Sequence, residues 1–274
     1  MIRGYRMEHW LSDEEIRATA YSEYWNNEEF EKHKPWHVSE HGFAELTRHL
    51  HETGLSRQLK DCIDMAAKLD RPILGTGADL ACGVFWTAPI LLKVERIQKL
   101  YGVEYSRHRL LKLSPAVLDH YDVPMDKVVL CLGSFYQLRL PQQFLDFVVL
   151  AEAFHHAEEP ERLLREIRRV LKPEGVVLIL GEHITPHEIV VYSRHIAKSI
   201  AARAIPPRLQ RRFFGCRLSR SPFFLPLREL LKPHPVMGDH YYLLREYGEM
   251  FSAHGFRCKR VRTQGCPFQA FVLY

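Results

Sequence analysis

Residues 79–86, Asp-Leu-Ala-Cys-Gly-Val-Phe-Trp, constrain this chain more than any other segment. An acidic residue closes an apolar run, small residues follow, and Pro89 then suits the first turn of a helix. A strand that ends in a small-residue loop and feeds a helix is where an open α/β sheet holds a nucleotide-like ligand. The loop is short of glycine, however, with only Gly83 where two or three would be expected.

The flanking sequence supports such a sheet. Apolar runs predict strands at Ile73–Leu80, Leu100–Glu104, Val128–Leu132, Phe147–Leu150 and Val176–Leu180. Between them, helical patterns span Ala88–Ile97, a segment capped by Ser106 and running through Leu110 and Leu113, and Glu161–Leu171, where Leu163, Leu164, Ile167, Val170 and Leu171 share one face. Lys172-Pro-Glu-Gly175 stops that last helix. A helix at Tyr241–Ala253 and strands at Arg257–Val261 and Phe268–Tyr274 complete the pattern. Strands alternating with helices predict an α/β, Rossmann-like sheet of seven strands, helices on both faces, and a reversed terminal strand pair. Two parts break the rhythm. Residues 1–70 read as a helical cap rich in aromatic residues, including Trp10, Tyr21, Trp25 and Trp36, and 71–274 form the main domain with an insertion at 185–238.

Composition narrows the setting. An apolar fraction of 46% in 274 residues supports a full core, and no apolar run is long enough to span a bilayer. Six cysteines without a C-x-x-C pair read as reduced thiols in a reducing compartment, so a cytoplasmic location is expected, with peripheral membrane contact left open. The insertion carries nine Lys/Arg and no Asp or Glu between Ile189 and Arg228. That charge suits a solvated lid, an anionic acceptor, or an interfacial helix on anionic lipid.

Glu104 ends the second strand in Tyr-Gly-Val-Glu-Tyr-Ser, where a carboxylate can accept both hydroxyls of a ribose. A dinucleotide fingerprint in the first loop would read Ala81, Gly83, Trp86, and a Trp at its third position obstructs helix–strand packing, which argues against NAD. Asp79-Leu-Ala-Cys-Gly, Glu104, Gly133–Pro141, Leu145-Asp-Phe-Val-Val, Ala153-Phe-His-His-Ala157 and Arg169-Val-Leu-Lys-Pro-Glu-Gly175, in this order, resemble the class I S-adenosylmethionine-dependent methyltransferases. The likeness is to the small-molecule, type 11 branch related to the ubiquinone and menaquinone enzymes, some of them bacterial. It covers residues 72–182 strongly and 239–274 loosely. It implies S-adenosylmethionine as cofactor, with Asp79, Ala81 and Gly83 at the methionine end and Glu104 on the ribose. Ser134 and Phe135 would flank the adenine, and Ala151 and Glu152 would line the cofactor after the fourth strand. Two departures stand out: Phe85 replaces a glycine, which is expected to narrow the methionine end, and Ser134 replaces an acid.

Methyl transfer needs alignment first and a base second. His156, His183 and Tyr241 are the candidates to contact the acceptor, at the edge where the cofactor would lie. His183 and His187 have helical ligand spacing, but Pro186 lies between them and no acid completes a site, so no metal is expected. The expected activity is methyl transfer to a small-molecule or glycan-type acceptor, anionic or lipid-linked. The alternatives are an RNA methyltransferase, which nothing in the motifs favours, and a non-catalytic cofactor-binding module.

Overall fold

The computed structural model describes residues 4–19, 21–185, 187–218 and 221–274. Its strands are β1 Arg6–His9, β2 Gly75–Leu80, β3 Ile97–Glu104, β4 Val128–Leu132, β5 Leu145–Ala151, β6 Leu171–Glu182, β7 Ile184–Thr185, β8 Tyr242–Leu243, β9 Cys258–Val261 and β10 Gln269–Leu273. Eight of them form one sheet in the order β1-β4-β3-β2-β5-β6-β10-β9, and β7 pairs with β8 apart from it. All pairings from β1 to β6 are parallel, and β10 runs antiparallel to both of its neighbours.

The expected Rossmann-like sheet is present with one strand more than the seven anticipated. The extra strand is β1, so residues 1–70 are not wholly helical. Four residues containing Arg6, Glu8 and His9 carry no apolar run, and what makes them a strand is pairing with the open edge of β4. Alternation on the inner strands explains the layers. Val128, Leu130 and Leu132 face one core with Phe147 and Val149, while Val129 and Cys131 face the other with Val148 and Leu150. Helices cover both faces, as a parallel sheet requires.

On the first face lie α4 (Val38–Glu52), kinked at Gly42, and α5 (Leu55–Lys68), separated by Gly54 in the left-handed conformation. The helix expected at Ala88–Ile97 is only the short α6, Ala88–Leu91, because the chain turns early and enters β3 at Ile97. The segment after β3 winds as a π-turn over Arg109–Leu113, then as α7, Ser114–His120, with Pro115 in its first turn. Ser106 does not cap it as expected: its hydroxyl donates to the Trp25 carbonyl at 2.7 Å. On the second face lie α8, Pro160–Val170, and α12, Leu244–Ala253, three residues shorter than predicted because 242–243 are extended. Residues 172–175 bulge out of β6, whose pairing with β5 jumps from Leu171 to Val176.

The N-terminal segment closes over the carboxyl ends of the strands through α1 (Asp13–Ala18), α2 (Ser22–Trp25) and α3 (Glu28–Glu31). A buried ion pair fixes it there. Glu31 accepts from Arg109 through Nε at 2.9 Å and through Nη2, and His108 Nε2 lies 2.6 Å from the same carboxylate. The Arg109 guanidinium lies over Trp25 at 4.6 Å and Trp36 at 5.9 Å. Burial alone would push the Glu31 carboxyl up, but Arg109 and then His108 hold it at about 2. A carboxylate whose folded pKa lies below its usual 4.5 stabilises fully above that value and progressively less as pH falls through the folded one. Acid unfolding of the wild type should therefore carry a component across this window. Glu31→Gln, which leaves Arg109 buried without its partner, should lose about 3–5 kcal/mol at neutral pH in urea unfolding and flatten the acid response. Equal stability of the two proteins at pH 7 would show that the pair does not hold the cap.

Candidate active site

Two adjoining cavities open at the carboxyl ends of the strands, of about 410 and 200 Å³. They share Trp25, Ala81, Arg109, Glu152 and His156, so they form one chamber narrowed between the cap and the first loop. Of the sequence candidates, Ala81 and Glu152 line both cavities; Glu104, Ser134 and Phe135 line the first, and Gly83 and Ala151 the second. Asp79 lines neither. It sits beneath the loop, fully buried, where it accepts from the Thr87 hydroxyl and leaves Oδ1 without a partner. Burial raises its pKa to about 7 against the effect of that hydrogen bond.

The first loop shows how one glycine does the work of three. Ala81, Gly83 and Phe85 all take positive φ, at 55°, 57° and 59°. The backbone therefore follows the alternating left-handed path that glycines would adopt without strain, and the two other residues each bear a penalty of roughly 1–2 kcal/mol. Phe85 does not narrow the methionine end as expected. Its ring is wholly buried under the sheet against Gly102, where an added Cβ would fall 2.5 Å from it. A glycine in β3 makes room for a phenylalanine from the loop, and the contact locks the loop from below.

Glu104 fixes the other side. Its Oε2 accepts the Gly83 N–H at 2.9 Å, and Oε1 accepts those of Tyr105 and Ser106 at 2.8 Å each. Oε1 is thereby fully engaged, and Oε2 keeps one lone pair for a ligand in the first cavity. At Gly83 the surface is open: an added Cβ would meet nothing nearer than Arg109 Nη1, at 3.8 Å. Glu152, also at positive φ, projects into both cavities, and burial raises its carboxyl to about 7, a group that a bound cation would ionise. The Ser134 hydroxyl accepts from the Tyr136 N–H at 3.2 Å and so shapes its turn.

The acceptor candidates separate. His156 lines both cavities with Trp25 edge-on to it at 5.0 Å, and burial lowers its pKa. His183 stands behind His155, ring centroids 5.3 Å apart, and lines neither cavity. Tyr241 is exposed and also lines neither; Tyr242 turns inward instead and packs against Tyr247. His187 accepts from its own helix at Ile189 N–H, while Pro186 lies outside the described residues. Sequence reasoning missed Arg109, Glu31 and Asp239. The early aromatic cluster signalled a packed cap, but nothing in the pattern of the chain indicated that Trp25 and Trp36 would bracket an arginine from beyond β3.

Residues 78–179 match the family model of a methyltransferase domain. The chain is 33% identical over 82 residues to an uncharacterized methyltransferase of Schizosaccharomyces pombe, a match covering 29% of this chain and 30% of that protein's length. The fold is similar to that of a SAM-dependent methyltransferase of Leishmania major, with TM-score 0.58, 14% identity, and 96% and 90% of the two chains covered. It is also similar to the YcgJ protein of Bacillus subtilis, with TM-score 0.51, 19% identity, and 75% and 70% covered. Residues 78–179 thus match a methyltransferase domain, set in a chain whose fold is that of the S-adenosylmethionine-dependent methyltransferase it resembles. The open Gly83 backbone and the free lone pair on Glu104 Oε2 fit S-adenosylmethionine, the cofactor such a domain implies, whereas Asp79 stays beneath the loop, outside both cavities.

Because Phe85 props the loop, Phe85→Ala should destabilise the fold by about 3–5 kcal/mol, as deletion of a buried phenylalanine does. Denaturant unfolding measures it, and a loss below about 1 kcal/mol would mean the ring is not load-sharing in the core.

Proposed function

We propose that this protein methylates a small-molecule or glycan-type acceptor from S-adenosylmethionine, and that the joined chamber carries this reading. Its cofactor side is built from Glu104, Ala81, Gly83 and Glu152. Its other side is walled by Trp25, Trp36, His49, Leu50 and Met237, an apolar recess roofed by the cap. A roof of this kind favours a compact acceptor over a polynucleotide, which would need an open groove.

When bound, the cofactor supplies an electrophilic methyl on a sulfonium. The residues present would do the rest by placement. Glu104 would accept one ribose hydroxyl through the free lone pair of Oε2. Arg109 spends Nε and Nη2 on Glu31, and its Nη1 near Gly83 is available to a carboxylate. Glu152 would lie beside the positive charge. His156 faces both cavities and would meet the acceptor where it approaches the methyl. In-line displacement depends mainly on such alignment.

Calorimetric titration with adenosylhomocysteine tests the cofactor half. Binding is expected, and Glu104→Gln should weaken it by about 1.5–3 kcal/mol, the usual worth of hydrogen bonds to a charged group. Folded wild-type protein that binds none would end the reading, and unchanged affinity in the variant would remove Glu104 from the ribose.

The insertion suggests where the acceptor is met. Helices α9 (Glu188–Ala204) and α10 (Pro207–Phe214) carry large apolar side chains in the open, among them Phe213 at 68%, and the segment before α11 (Leu227–Leu230) adds Phe224, 85% exposed. Arg208, Arg211, Arg212 and Arg217, on α10 or just beyond it, are exposed as well. Exposed aromatic residues in a segment rich in arginine suit an anionic bilayer surface. No helix among the described residues is long and apolar enough to cross a membrane. Co-sedimentation with phosphatidylserine vesicles should be strong at low salt, and Arg211→Glu with Arg212→Glu should weaken it by roughly 1 kcal/mol or more per charge. Equal binding to neutral vesicles would argue against this surface.

A further inference from the structure

Beside the chamber, the short turn Phe154–His156 after β5 meets the segment that leads into β8. His155, His156 and Asp239 come together there, each offering one ligand atom, with all of these atoms within 4.8 Å of one another. His156 and Asp239 line the second cavity, as does His155. The contact between His156 and Asp239 is peculiar. Nδ1 of the histidine stands 3.0 Å from Oδ1 of the aspartate in a contact poorly aligned for a hydrogen bond, and neither atom reaches another partner or solvent. Buried polar atoms in that state are costly, and they are few in native proteins. A cation between them would satisfy both.

His155 is prepared for the same task. Its Nδ1 lies 3.2 Å from Oε1 of the buried Glu182, whose Oε2 accepts from the Tyr247 hydroxyl at 2.7 Å. A carboxylate only accepts, so Nδ1 carries the proton and Nε2 keeps its lone pair for a ligand role. An imidazole oriented by a carboxylate on its far nitrogen is the usual outer support of a metal-bound histidine. The two strands of chain are also stapled, since the His240 N–H donates to the His155 carbonyl at 2.7 Å.

We propose that His155, His156 and Asp239 bind a divalent first-row transition ion at the wall of the second cavity. Two imidazoles and one carboxylate suit zinc, iron, manganese or cobalt, whereas magnesium and calcium prefer oxygen ligands. Three protein ligands leave open positions toward the cavity, where the ion would act as a Lewis acid on an acceptor oxygen or nitrogen. That use rests on the methyl-transfer reading; the binding itself does not. The ligand pattern has no sequence signature, because two ligands are adjacent and the third lies far along the chain, after the basic insertion.

Full-length protein freed of metal with a chelator and titrated with Co²⁺ provides the test. The expected result is one ion per chain, with visible d–d bands and no thiolate charge-transfer band from the exposed Cys216 and Cys258. His156→Ala and Asp239→Ala should each weaken Co²⁺ binding at least tenfold while circular dichroism stays native, and Glu182→Gln should weaken it roughly 10–100-fold through the outer support. If either alanine variant fails to fold, His156→Gln and Asp239→Asn take its place. Wild-type binding no tighter than that of the variants, or binding abolished by replacing the two cysteines, overturns the site. Adenosylhomocysteine titration of the metal-free protein is read separately, so loss of cofactor binding with Co²⁺ binding intact would fail the methyltransferase reading alone.

Discussion

The Glu31–Arg109 pair is the interaction on which the site depends. Arg109 comes from the chain just beyond β3 and Glu31 from the N-terminal cap, 78 residues earlier. Their contact does more than attach one part to another. It sets Trp25 and Trp36 around the guanidinium and so divides the space above the sheet into two communicating cavities. Neighbouring bonds follow the same seam: Ser106 to the Trp25 carbonyl, Arg107 N–H to Asn26 at 3.1 Å, and Lys112 to Glu28. The segment after β3 thereby both lines the first cavity and anchors the cap above it.

This arrangement makes the two cavities inseparable. Trp25, Arg109, Glu152 and His156 belong to both cavities. A ligand in one would touch side chains that also wall the other. The charges are balanced accordingly: Arg109 is neutralised by Glu31 on one side, and the carboxyls of Glu104 and Glu152 face the chamber on the other. A molecule carrying a carboxylate at one end and a positive centre near its middle matches that distribution.

Much of the sheet was legible in the sequence, because buried parallel strands read as short apolar runs and their helices as clear stripes. Val128–Leu132 was read to the residue, and Pro160–Val170 within one residue at each end. What escaped depended on partners distant in the chain. β1 is a strand only because β4 offers an edge. Ser106 sits at a plausible cap position but bonds to Trp25 instead. Phe85 looked like an obstruction because its neighbour Gly102, one strand away, could not be paired with it by pattern alone. The first-loop candidates and Glu104 were visible as residue types at strand ends, whereas Arg109 and Asp239 gain their places from tertiary packing.

The loop that joins β2 to α6 has a thermodynamic consequence. Loops rich in glycine reach the left-handed path freely but spread over many other conformations, and a ligand must gather them. Here one glycine remains, and the path is enforced by a phenylalanine clamped beneath the sheet and a carboxylate bonded from the side. The strain at Ala81 and Phe85 is borne when the chain folds, not when a ligand arrives. Association with this surface therefore meets little opposing conformational entropy from the loop.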